Sequence, residues 1–108
     1  MINVFVSCPM YGYKDGYIIK VFESVKKWLS LYLKDDFRIL DSYINDTPKN
    51  YDALAPVIYL SKSIEKLAEA DLAVFTPGWK EARGCKIEHQ IASDYGIRIL
   101  ELPNLEVV

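Results

Sequence analysis

Four short apolar runs, separated by stretches of helical periodicity, constrain this 108-residue chain more than any other feature. Ile2 to Ser7 is β-branched and aromatic and stops before Pro9 and Gly12. It reads as a buried strand followed by a loop. From Asp15 to Leu33 the period changes. Ile18, Val21, Phe22, Val25, Leu29 and Tyr32 share one helical face, and Lys20, Glu23, Lys27 and Lys34 lie opposite. Phe37 to Leu40 predicts a second strand. Asp41 to Asp52 is polar, contains Pro48 and reads as a loop. Pro56 suits a helix's first turn, and Val57, Leu60, Ile64, Leu67 and Ala68 mark an amphipathic helix. Leu72 to Phe75 predicts a third strand, ended by Pro77-Gly78. Ala82 to about Tyr95 predicts a third helix stopped by Gly96, and Ile97 to Leu102 a fourth strand.

Strands separated by helices imply parallel units joined by right-handed crossovers. Continuous apolar strands imply helices on both faces. The expected fold is therefore α/β: a three-layer sandwich on a doubly wound parallel sheet of four to five strands, Rossmann-like or flavodoxin-like, in an order near 2-1-3-4. One domain covers residues 1–108, a common domain length. Ligands of such sheets bind beyond the carboxyl ends of the strands, where the order reverses. Here that is between the first and third strands, at the loops Ser7 to Gly16 and Thr76 to Gly84.

Composition narrows the chemistry. A net charge of −2 gives no general basic field for a nucleic acid polymer. The single histidine, His89, excludes a metal site of several histidines within one chain, and no metal or cofactor is expected. Two cysteines, Cys8 and Cys85, suit a reducing cytoplasm. No apolar run has the length of a membrane span, and the start lacks a signal peptide's pattern.

Glu88 is the most informative residue. On a wheel of about 100° per residue with Gly84 at zero, Ile87, Ile91, Tyr95, Ala92 and Cys85 cover roughly −60° to +100°. Glu88 falls inside that arc at roughly 40°. His89 falls outside it and reads as solvated. A carboxylate on the core side of a helix is expensive unless partnered, and it is stabilised near a helix start. It is either a functional group facing the crevice or a structural one that pairs with an arginine or caps a neighbouring loop. The preceding Pro77-Gly78-Trp79-Lys80-Glu81-Ala82-Arg83-Gly84 offers free backbone N–H groups, a forked donor in Arg83 and a side-chain-free approach at Gly84. The first loop, Ser7-Cys8-Pro9-Met10-Tyr11-Gly12, has no G-x-G-x-x-G pattern, so a dinucleotide site is unsupported.

Three stretches together resemble the nucleoside 2-deoxyribosyltransferase superfamily: Val4 to Gly12, Ala70 to Trp79, and Arg83-Gly84-Cys85-Lys86-Ile87-Glu88. The chain looks most like a branch of short bacterial and phage domains with S-G-P-M-x-G and P-G-W-x-x-S-R-G-A-x-x-E motifs. The resemblance implies cleavage or transfer of the N-glycosidic bond of a deoxynucleoside or its 5′-monophosphate, with Glu88 as the nucleophile. It implies substrate contacts from Ser7, Pro9, Met10, Gly12, Gly78, Trp79, Arg83 and Gly84. A homodimer or higher homo-oligomer would complete the site, with helix faces and the tail Leu105 to Val108 in the contact. This sequence departs from the pattern at three positions. Cys8 replaces a glycine. Tyr11 stands where phosphate-specific relatives carry an arginine. Ser63 stands where an aspartate would hold the base and assist its protonation. Ser63 and Asp71 are the assisting residues on this alignment. The alternative is a weak or inactive nucleotide-binding module of the same fold.

Overall fold

The structure is a computed structural model that describes residues 1–9, 15–40 and 55–105. The expected strands and helices form in the expected order: β1 (Ile2–Ser7), α1 (Asp15–Tyr32), β2 (Phe37–Ile39), α2 (Ala55–Leu67), β3 (Leu72–Phe75), α3 (Arg83–Asp94) and β4 (Arg98–Glu101). One element was not expected. Trp79–Glu81 makes a single 3-10 turn, so α3 begins at Arg83 rather than Ala82. The turn follows Gly78, whose φ of 90° is the left-handed conformation that glycine adopts without penalty. Gly96, at φ 75°, stops α3 as the sequence predicts.

The strands form one parallel sheet in the order β2-β1-β3-β4. β1 pairs with β2 through Ile2↔Phe37 and with β3 through Val4↔Leu72 to Ser7↔Phe75. β3 pairs with β4 from Leu72↔Arg98 to Phe75↔Glu101. From β1 the chain moves one way to β2, then crosses over to β3 and continues to β4. Right-handed crossovers in opposite directions must lie on opposite faces. Accordingly α1 covers one face and α2 and α3 share the other.

The core divides the same way. Val4 and Val6 pack with Ile18, Val21, Val25 and Leu29 of α1. Phe5 and Phe75 pack with Leu67 of α2 and Ala92 of α3. This is strand alternation at work, since successive side chains point to opposite faces. Ser7, two residues beyond Phe5, therefore points toward the α2–α3 face.

The start of the sheet is pinned at its amino edge. The Asn3 N–H donates to Asp71 Oδ2 at 2.8 Å, the Asp71 N–H donates to the Asn3 carbonyl at 2.8 Å, and Arg38 Nε donates to Asn3 Oδ1 at 2.8 Å. At the carboxyl edge the Thr76 N–H donates to the Ser7 carbonyl at 3.0 Å and the Leu102 N–H to the Phe75 carbonyl at 2.9 Å. These bonds extend the parallel ladder past the strand ends. No helix among the described residues is long and apolar enough to cross a membrane.

Candidate functional site: a buried glutamate between two serines

Glu88 lies in the second turn of α3 and is only 6% exposed. Both of its carboxylate oxygens are held by hydroxyls. Ser7 Oγ, at the end of β1, donates to Oε1 at 2.7 Å. Ser63 Oγ, on α2, donates to Oε2 at 2.5 Å. The Ser63 contact is the shorter of the two, so the carboxylate is held closely from both sides. Among the described residues no buried side-chain polar atom lacks a partner. Burial pushes the Glu88 carboxyl above its ordinary value, and the Ser63 and Ser7 hydroxyls pull it part of the way back.

Two thiols flank this cluster. Cys8 follows Ser7, and Cys85 lies one turn before Glu88; both are free and buried. Burial raises Cys8 to about 12, aided by Cys85 and Glu88 nearby. Burial raises Cys85 to about 11, opposed by a contact with the Ser7 hydroxyl. Thiols held this high are protonated at neutral pH and are poor nucleophiles. The carboxylate is thus the one group of the cluster with the chemistry of a nucleophile at neutral pH.

The buried face of α3 is rotated from the arc drawn on the sequence. Cys85, Glu88 and Ala92 are its buried residues, whereas Ile87 is 37% and Tyr95 81% exposed. His89, expected to be solvated, instead packs. Its ring stacks on Trp79 with centroids 4.0 Å apart and planes 7° apart, meets Phe75 edge-on at 4.8 Å, and lies 3.4 Å from Glu101. The 3-10 turn causes this, because it folds Trp79 back over the α3–β4 side of the sheet. The indole gives His89 an apolar wall that helical periodicity alone does not show.

The other predicted site residues divide into groups. Pro9 and Gly78 bring the β1 and β3 loops together: a Cβ on Gly78 would lie 3.6 Å from Pro9 Cγ. Met10, Tyr11 and Gly12 lie outside the described residues. Trp79 contacts Phe75 and His89 rather than Glu88, and Lys80 Nζ sits 5.8 Å from its ring. Arg83 is exposed at the first residue of α3 and makes no ion pair among the described residues. Gly84 faces Leu60 of α2, where a Cβ would sit in ordinary contact at 3.9 Å. Packing alone does not require a glycine there. Asp71 is at the amino edge of the sheet, away from Glu88, and its carboxylate ties β3 to β1.

Ser63, like Ser7, is a partner of Glu88 that the sequence did not reveal. Its position after Leu60 and before Leu67 follows the i, i+3, i+7 spacing of an inward stripe. Helical spacing thus places Ser63 on the inward side of α2, as it places Glu88 on that of α3. On the other side of the sheet a shallow cleft of about 80 Å³ opens among Cys8, Pro9, Thr76, Pro77, Tyr17 and Leu105, between the β1 and β3 ends and α1. Glu88 is not in its wall.

A family model described as "Domain of unknown function (DUF4406)" matches residues 2–101, and the chain belongs to that family. No curated protein and no solved structure matches.

Proposed function

We propose that this DUF4406 chain is a nucleoside 2-deoxyribosyltransferase-like enzyme that cleaves or transfers the N-glycosidic bond of a deoxynucleoside or its 5′-monophosphate. The observation that carries the reading is Glu88, a carboxylate buried at the carboxyl edge of the sheet and gripped at both oxygens by hydroxyl donors. A carboxylate nucleophile must be ionised, oriented and poorly hydrated. Ser7 and Ser63 supply orientation and favour the charged form, and burial removes water.

In the reaction, a Glu88 oxygen attacks the anomeric carbon. The carbon–nitrogen bond breaks, and the base leaves with the electron pair and takes a proton from solvent water. A glycosyl ester on Glu88 results. Water, or a second base, then attacks the same carbon and frees the carboxylate, with net retention of configuration. Arg83 and the first N–H groups of α3 are the groups offered to a 5′-phosphate. The exposed Val57, Ile58, Ile87 and Tyr95 support a homo-oligomer built on the α2–α3 side, and the two free thiols support a reducing, cytoplasmic setting. Light scattering tests the assembly: a monomer at working concentration contradicts it.

The experiment is incubation with a panel of deoxynucleosides and their 5′-monophosphates, with free base followed by chromatography. Wild type releases base and Glu88→Ala does not. Equal release by both refutes the reading.

One observation favours a second reading. Glu88 is 6% exposed with both oxygens already engaged, and a serine stands where the superfamily pattern has an aspartate. A non-catalytic nucleotide-binding module would be stabilised by nucleotides in a thermal-shift screen and release no base.

A further inference from the structure

We propose that Ser63 is a positioning residue for Glu88, fixing the carboxylate through Oε2 so that it attacks from a single orientation. This rests on Glu88 being the nucleophile.

Two other helical serines of this chain bond to their own backbone. Ser30 Oγ donates to the Lys26 carbonyl and Ser61 Oγ to the Ile58 carbonyl, each on its own helix. That is the usual local bond for a helical serine. Ser63 does not fold back in this way. Its hydroxyl reaches across from α2 to α3 and meets a side chain 25 residues away.

The terminal torsion of a glutamate is broad. One donor on one oxygen leaves the group free to swing about that bond. Ser7 holds Oε1 from the sheet and Ser63 holds Oε2 from the opposite helix, so the plane of the carboxylate is set by two elements. Each oxygen keeps a second lone pair, and those are the ones available to an electrophilic carbon.

The ionisable groups coupled to Glu88 are the Cys8 thiol beside the β1 end and the Cys85 thiol on its own helix, both raised far above neutrality by burial. On α2, Tyr59 lies one turn before Ser63 along the same face. The Ser63 and Ser7 hydroxyls are the hydrogen bonds that favour the anion. Removing the one from Ser63 must therefore make the anion harder to form, in addition to loosening it.

The test uses the intact chain with Ser63→Ala and Ser63→Thr. In the substrate-free protein the Glu88 carboxyl is titrated by carbon-13 NMR, with Glu88→Gln assigning the signal. Ser63→Ala is expected to move the midpoint upward, and Ser63→Thr, which keeps the hydroxyl, to restore it. In the base-release assay Ser63→Ala is expected to lower kcat about tenfold, the loss of one hydrogen bond to a charged group, with KM little changed. Its acid limb moves to higher pH with the midpoint, and Ser63→Thr recovers both. Should Ser63→Ala fail to fold, Ser63→Cys, a weaker donor of similar size, carries the same comparison. A midpoint and an acid limb that stay at their wild-type positions in a folded variant overturn the role of Ser63 while Glu88 stands. A shifted midpoint with no base release from wild type overturns the nucleophile itself, and with it the attack that Ser63 would position.

Discussion

The substitution Glu88→Gln removes a buried charge and keeps the length of the side chain. Its amide oxygen accepts from one serine, and its amide nitrogen donates to the other, whose hydroxyl turns to accept. Two hydrogen bonds therefore survive, and the cost at acid pH is small. Glu88→Ala is different. It takes the acceptor from both hydroxyls: part-buried Ser63 can turn back to its own helix, whereas buried Ser7 keeps only the weak contact with the Cys85 thiol, at a cost of about 1–3 kcal/mol. That cost is a sizeable part of the roughly 5–15 kcal/mol that holds a typical domain together, and it lowers Tm by about 4 °C or more.

The pH dependence separates charge from shape. Burial raises Glu88 in the folded state above its ordinary value of 4.5. Below that value the group is protonated in both folded and unfolded chains, and wild type keeps its full stability relative to Glu88→Gln. As pH rises, the unfolded chain ionises first while the folded chain resists. Wild type then loses ground to Glu88→Gln by up to about 1.4 kcal/mol per pH unit, until pH passes the folded midpoint and the difference levels off. Urea melts of the two proteins from roughly pH 4 to 9, followed by tryptophan fluorescence, measure this curve. A difference that stays flat, or that grows in favour of wild type as pH rises, would falsify the claim that burial outweighs the two hydroxyl bonds.

Three more outcomes follow from the same geometry. Cys8 and Cys85, raised to about 12 and 11, are expected to resist a thiol reagent at pH 8 until the protein is unfolded; rapid labelling of the native protein refutes this. Gly78→Ala is expected to cost about 1–2 kcal/mol through its left-handed backbone and not through collision, because Pro9 is at ordinary distance; an unchanged urea midpoint refutes it. Gly84→Ala is expected to raise stability by about 0.5 kcal/mol, since Leu60 leaves room for the methyl, and to lower base release if substrate passes over that turn. A gain in both properties would move the substrate elsewhere.

Much of the framework was legible because its signals are local. The run Ile2 to Ser7 has no period-2 polarity, and the structure buries that strand between β2 and β3. The inward face of α1 follows Ile18, Val21, Val25 and Leu29. Glu88 was found because one carboxylate on an apolar arc conflicts with burial unless partners exist. The partners themselves were not legible. Ser7 is 81 residues away and Ser63 is 25, and their approach depends on both crossovers placing α2 and α3 on one face. His89 was misread for a related reason: Gly78 turns the chain left-handed, and the 3-10 turn then brings Trp79 over a face that the wheel shows as polar.

The two hydroxyls that grip Glu88 differ in how firmly the fold holds them. Ser7 ends the strand that has a neighbour on each side, and its carbonyl accepts from Thr76 besides. Ser63 rides on a helix that touches the sheet through side chains alone. Local opening begins where fewest cooperative bonds must break, so hydrogen exchange should report α2 loosening before β1. The grip on the carboxylate is thus a hinged vice with one fixed jaw, and whatever relaxes the fold will release Oε2 while Oε1 is still held.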